Sequence, residues 1–380
     1  MPQKPIYLDY NATTPIDPLV AEAMLPYLYS RFGNPSSSHA FGAEAKEAVE
    51  QARRQIAKML GCLPEEIIFT SSGTESNNMA LKGTAMEESE RGNHLITSSI
   101  EHPAILEVCA HLEKMGFRVT YVSVDEYGRV EPAAVEKAIT EETFLISIMH
   151  ANNEVGTIQP IKEIAEIAHS HSINIHTDAA QSIGKIRVDV NALGVDLLSV
   201  AGHKFYAPKG IGALFIRSGI QLTKQIHGAN HERNLRAGTE NVLEIAGLGK
   251  ACELAAAGLD DHAAHMREMR NAFEQGILER IPWAKINGHP VHRLPNTSSI
   301  SFKNLEANKI LAELSGVAAS AGAACHAERV DVSHVLKAMQ LPKEYAMGTL
   351  RFSVGRMTTH EEILQAVREI EKVVKRLALV

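Results

Sequence analysis

Asp196-Leu-Leu-Ser-Val-Ala-Gly202-His203-Lys204-Phe-Tyr-Ala-Pro-Lys209-Gly210 reads as a buried strand that breaks into a polar turn. Leu197, Leu198 and Val200 form the apolar run, Gly202 ends it, and a second apolar run, Ile211 to Ile216, follows almost at once. The turn carries His203 and Lys204. A lysine at the end of a buried strand is partly desolvated, which favours the neutral amine that attacks carbonyls. The same lysine on an open turn is simply solvated. Its surroundings decide between the two.

Toward the N-terminus, strands and helices alternate. Strand Ile67–Thr70 leads through the small-residue turn Ser71–Ser76 into a helix ending near Glu90. Strand His94–Ser98 follows, then a helix from Glu101-His102-Pro103 to Gly116, and strand Val119–Val124. Helix Pro132–Ile139, strand Phe144–Met149, helix Ile161–His169 and strand Ile173–His176 complete the series. This alternation predicts an α/β fold, a mostly parallel sheet with helices on both faces. Ligands of such sheets collect at the carboxyl ends of the strands. The polar clusters fall at those ends: Thr70–Ser76, Glu101-His102, Asn152-Asn153-Glu154, Asp178-Ala-Ala-Gln181 and His203-Lys204.

Two helices precede this series. One opens at Asp17-Pro18, an N-cap followed by proline, and the other runs from Ala43 to Leu60. The turn-rich loop Arg31–His39 between them is of the kind that approaches ligands. Beyond Asn241 a long helix is expected to about Arg280, then a strand of alternating type at Asn296–Ser301 and helix Ala307–Leu314. A loop at Ser315–Arg329, a strand at Leu350–Val354 and a final amphipathic helix opened by the Thr359–Glu362 capping box follow. This C-terminal third reads as a second, smaller domain, as a chain of 380 residues allows.

The composition is that of an ordinary globular protein. A net charge of −7 argues against nucleic acid or an anionic membrane as the main partner. No apolar run reaches membrane-spanning length and the N-terminus has no signal-peptide core, so the cytoplasm is the expected compartment. The four cysteines show neither C-x-x-C nor zinc spacing, and the eighteen histidines form no H-E-x-x-H, which favours free thiols and argues against a metal site.

Each cluster admits a chemical reading and a plainer one. Hydroxyls and Gly73 at a helix start make an anion site, or only cap the helix. Asp178, ending a buried strand, needs a cation: a protonated pyridine nitrogen or a structural ion pair. Gln181 is placed to donate to a ring oxygen, and His102 to stack, move protons, or cap. Arg351, between Leu350 and Phe352, suits a carboxylate ligand or a salt bridge. Cys325 follows a run of small residues and precedes His326, the setting of a movable, activated thiol or of an incidental one.

Taken together, these motifs resemble those of the cysteine desulfurases of NifS/IscS type, within the class-V, fold-type I pyridoxal phosphate enzymes. Tyr7-Leu-Asp9-Tyr-Asn11-Ala-Thr-Thr14-Pro, Phe32-Gly-Asn34-Pro-Ser-Ser, Thr70–Asn77, Glu101-His102, Asn152–Gly156, Asp178–Gln181, Gly202–Lys204, Arg236–Thr239 and Arg351–Arg356 stand in that family's order. The resemblance implies an aspartate-aminotransferase-like fold: a mostly parallel sheet of the seven-stranded type, plus a smaller α+β domain. It implies a large cofactor domain, residues 16–259, and a small domain of residues 1–15 and 260–380 carrying the cysteine loop.

The resemblance also implies roles. Lys204 forms the Schiff base with pyridoxal 5'-phosphate and moves the Cα proton; Asp178 pairs the ring nitrogen, Gln181 meets the ring oxygen, and His102 stacks on the ring and handles protons as a catalytic residue. Gly73, Thr74 and His203 hold the phosphate, with Thr239 reaching it from the partner subunit of a homodimer. Asn153 and Arg351, helped by Asn34, hold the substrate carboxylate. Cys325 takes sulfur from L-cysteine as a persulfide, releasing L-alanine, and passes it to an acceptor protein such as an iron–sulfur scaffold. Two positions stand out: Ala201 replaces a serine found in many members, and Gly322-Ala-Ala-Cys325-His326 is closer to the loop of selenocysteine lyases. A selenocysteine lyase, and more remotely an aminotransferase, are therefore the alternatives.

Overall fold

The computed structural model describes residues 5–321, 323–326 and 329–379, the side chains of 323–326 and 329–331 excepted. A short strand β1 (Ile6–Tyr7) comes first. Seven strands then build one sheet: β2 (Ile67–Thr70), β3 (His94–Ser98), β4 (Arg118–Val122), β5 (Thr143–Ser147), β6 (Asn174–Asp178), β7 (Leu197–Ala201) and β8 (Gly212–Ile216). Their order is β2-β8-β7-β6-β5-β3-β4, with β8 alone antiparallel to its neighbours. The carboxyl ends of the other six therefore share one edge. Every residue of β3, β5, β7 and β8 is buried, as a sheet covered on both faces demands. The outer strand β4 alternates polar and apolar residues and stays partly exposed, which suits an edge.

A second, four-stranded antiparallel sheet contains β9 (Ala284–Asn287), β10 (Thr297–Phe302), β12 (Ser320–Ala321) and β15 (Thr349–Ser353), in the order β12-β15-β10-β9. Strand β11 (Val317–Ala318) pairs with β1, which ties the N-terminal segment to this half. Ile6 and Leu8 share an apolar cluster with Phe273, Ile300, Phe352 and Ile370, while the large sheet has cores of its own.

Three expectations are corrected. The helix from Asn241 to Arg280 is two helices, Val242–Ala257 and Leu259–Arg280, meeting at Gly258. A Cβ at Gly258 would stand 2.4 Å from the His262 ring, a clash that glycine avoids. Strand β10 is buried at every position rather than alternately. Its hydroxyls are satisfied inside: Ser301 with Thr349 at 2.7 Å, and Ser298 with Glu274 at 2.7 Å. The loop Ser315–Arg329 contains β11, β12 and one arm of a hairpin, β13 (Ala323–His326) with β14 (Arg329–Val332). Among the described residues no helix is long and apolar enough to cross a membrane.

Candidate active site

A cavity of about 410 Å³ opens at the shared carboxyl edge, lined by Gly73, Thr74, His102, Asn153, Asp178, Gln181, His203, Lys204 and Arg351. These residues were singled out by sequence, and the fold brings them to one place. Lys204 follows β7 on a single 3₁₀ turn, and its Nζ donates to the main-chain oxygens of Asn11 (2.7 Å) and Ala12 (2.9 Å). Burial, followed by the Arg351 charge, pushes its amine down to about 8, against the pull of Asp178 and Asp9. The desolvated-lysine reading holds.

The lysine turn is strapped by the N-terminal segment. Thr14 donates its main-chain N–H to the His203 carbonyl (3.0 Å), and the Tyr206 amide donates to the Thr14 hydroxyl (2.7 Å). Tyr206 sits at φ 71°, a conformation these bonds help impose. His203 is held near Thr13 at 3.1 Å, and burial, then Lys204, lowers its imidazole to about 4, so it meets ligands uncharged.

Asp178 ends β6 almost wholly buried. Among the described residues it accepts from two neutral donors, Asn77 Nδ2 at 2.7 Å and the Ala180 amide at 2.9 Å. A buried carboxylate with neutral partners on a cavity wall suits a cationic ligand atom. His102 caps helix α4 (Pro103–Lys114): its Nδ1 accepts from the Ala104 amide at 3.1 Å, and the same residue lines the cavity. The capping and stacking readings of His102 are thus compatible. Burial lowers its imidazole, with Asp178 opposing.

Helix α3 (Gly73–Glu87) starts at the cavity. Ser72 caps it by accepting from the Glu75 amide, which leaves the first-turn amides of Gly73 and Thr74 without intrahelical acceptors. Open amides at a helix start suit an anion such as phosphate. A Cβ at Gly73 would come within 3.0 Å of the Ala201 methyl, so the two small residues fit against each other. At position 201 the cavity wall therefore carries a methyl group beside Ser72 and Thr74.

Arg351, on β15, donates to Asp9 Oδ1 (2.8 Å), the Asn153 carbonyl (3.1 Å) and Ser320 Oγ (3.1 Å). Its salt bridge exists, and its position on the cavity wall exists too. Asn34 and Thr239 are exposed and do not line the cavity of their own chain. Asn34 instead closes a local turn, accepting from the Ser36 amide. Cys325 has its backbone in β13, opposite Val330, and its side chain lies outside the described residues. Cys62 and Cys109 are poor nucleophiles, since burial pushes both thiols up to about 12. Cys252 is raised by complete burial.

Sequence reasoning assigned no role to Asn11, Asn77 or Lys185. Asn11 stood in the quoted opening motif, yet its partners are far along the chain: Lys185, Gln181, Asn296 and Thr297. Lys185 follows Gln181 by four residues, the one local signal that could have raised it.

Residues 6–366 match the Aminotransferase class-V family. A cysteine desulfurase IscS of Dictyoglomus turgidum is 49% identical over 99% of this chain and 96% of that protein. A solved NifS-like protein superposes with a TM-score of 0.93 at 40% identity, covering 98% of this chain and all of that one. A structure of SspA in complex with cysteine gives a TM-score of 0.81 at 39% identity, over 93% of this chain and 99% of that one. The chain belongs to the class-V aminotransferase family.

Proposed function

We propose that the cavity holds pyridoxal 5'-phosphate and that the protein is a cysteine desulfurase, converting L-cysteine to L-alanine with the sulfur carried on Cys325. The carrying observation is one cavity that joins a desolvated lysine, a buried aspartate with neutral partners, and an open helix start. That set fits an aldehyde, a pyridinium nitrogen and a phosphate. When bound, the cofactor supplies a conjugated electron sink behind the substrate Cα.

The chain's residues do the rest. Lys204, as a neutral amine, holds the cofactor and moves the Cα proton. Asp178 pairs its charge with the ring nitrogen, Gln181 donates to the ring oxygen, and His102 stacks on the ring. The amides of Gly73 and Thr74, with neutral His203, hold the phosphate. Asn153 and Arg351 orient the substrate carboxylate, with Asn34 assisting. The Cys325 thiolate attacks the substrate sulfur: an S–S bond forms, the Cβ–S bond breaks, and its electron pair stays with carbon. Protonation of that carbon gives the methyl group of alanine, and the enzyme keeps a persulfide. The persulfide then passes to an acceptor protein, such as an iron–sulfur scaffold.

A homodimer completes this reading. Helix α1 (Pro18–Tyr29) exposes Leu19, Leu25, Leu28 and Tyr29, and Phe32 in the loop beyond it stacks on Phe41 at the start of the next helix, Ala40–Leu60. Exposed large apolar side chains of this kind suit a second copy, which would also bring Thr239 to the cavity. We place the protein in the cytoplasm, and divide it into a large domain of residues 16–259 and a small one of 1–15 with 260–380. Two separate apolar clusters support that division, while a smaller one packs Ile100, Met149 and Val155 against Val335, Leu336 and Met339 across it.

The test is turnover of L-cysteine and of L-selenocysteine by cofactor-loaded wild type and Cys325→Ala. Loss of L-cysteine turnover in the variant is expected. Selenocysteine turnover indifferent to the change, with little cysteine turnover in wild type, would favour the lyase; keto-acid-dependent amino transfer would favour an aminotransferase.

A further inference from the structure

Lys185 is wholly buried and has no part in the roles given above. Its Nζ donates to Gln181 Oε1 at 2.8 Å and to Asn11 Oδ1 at 3.1 Å. A neutral primary amine has two hydrogens, which these two acceptors match; an ammonium carries three. Burial, and then the like charges of Lys204 and Arg351, hold this amine well below the ordinary lysine range. Lys185 is a buried donor set among polar side chains.

Its two acceptors matter to the site. With Oε1 engaged by Lys185, the amide nitrogen of Gln181 must face the other way. One of its hydrogens goes to the Asn11 main-chain oxygen (3.1 Å), and the second remains for the cavity that Gln181 lines. Asn11 is pinned as well: its Oδ1 accepts from Lys185 and from Asn296 (2.9 Å), and its main-chain oxygen also accepts from Lys204 (2.7 Å). Removing the Lys185 amine would leave a buried Oε1 unpaired and the amide free to turn its oxygen toward the cavity.

We infer that Lys185 is a positioning residue: from the buried side it fixes the Gln181 amide with an N–H toward the cofactor's ring oxygen. The inference rests on the reading that the cavity holds pyridoxal 5'-phosphate. It is tested with Lys185→Met, Gln181→Ala and the double variant. The readouts are the dissociation constant for pyridoxal 5'-phosphate, the position of the bound cofactor's visible band, and the thermal midpoint. Lys185→Met is expected to weaken cofactor binding about tenfold and to move the band, while adding nothing further in the Gln181→Ala background. The same fractional loss in both backgrounds would overturn the inference, because Lys185 would then act elsewhere. Lys185→Gln keeps a neutral donor and should stay closer to wild type than Lys185→Met; equal loss in both also overturns it, and serves if the methionine variant does not fold. Wild type that binds no cofactor would sink the cofactor reading itself. Wild type that binds normally, with Lys185→Met unaffected, would sink only the role of Lys185.

Discussion

Lys204 is held against Asn11 by a 2.7 Å bond from its Nζ to the main-chain oxygen, and among the described residues no carboxylate stands among its hydrogen-bond acceptors. Carbonyls position the amine without the full charge that would lock it protonated. The nearby carboxylates Asp178 and Asp9 pull its pKa up, but burial and Arg351 outweigh them and set it at about 8. The residue is thereby poised between ammonium and amine.

The first prediction is a pH profile. Cofactor-free protein should capture pyridoxal 5'-phosphate at a rate that climbs about tenfold per pH unit below the amine's pKa and levels off above about 8. The sign follows from chemistry: below that pH the amine is protonated and has no lone pair to offer. Stopped-flow absorbance measures it, with Lys204→Ala as the blank. A rate that falls with rising pH would contradict the assignment.

Asp178→Asn preserves shape and removes charge. Because Asp178 raises the Lys204 pKa, the variant should shift the capture profile to lower pH. The same measurement checks it. An upward shift would mean that Asp178 does not face the lysine.

Arg53 and Glu232 form a buried pair at 2.7 Å, and Glu232 also accepts from the Phe69 amide at 2.7 Å. Arg53→Met should cost about 3–5 kcal/mol, by leaving Glu232 buried without its cation. Urea unfolding reads this. A loss below about 1 kcal/mol would place the pair among solvent-screened surface bridges.

Gly156 sits at φ 76°, and a Cβ there would lie 2.9 Å from the Thr297 Cβ. Gly156→Ala should cost about 1–3 kcal/mol in backbone strain. It should also raise the KM for L-cysteine more than it lowers kcat, since the Asn152–Gly156 turn carries the Asn153 carbonyl that anchors Arg351. Thermal unfolding and steady-state kinetics separate the two effects.

The sequence was most readable where periodicity is local. Buried β-branched and leucine runs marked β5, β7 and β8, and the polar residues just after each strand marked the cavity edge. It was least readable where one residue joins distant segments. Asn11 bonds to Lys185, 174 positions away, and no local pattern announces such a partner. The single helix expected beyond Asn241 divides at Gly258, and no local pattern announces that break. Strand β10 seemed half-exposed because serine is polar, yet its hydroxyls pair within the sheet. Asn34 and Thr239 carried the resemblance, but one chain does not bring them to its own cavity.

The most direct measurement is mass spectrometry of every cysteine after brief exposure of cofactor-loaded protein to L-cysteine. The account predicts one added sulfur on Cys325 in wild type, none in Lys204→Ala, and alanine released in equal amount. Sulfur found instead on Cys62, Cys109 or Cys252, or on Cys325 without Lys204, would contradict it.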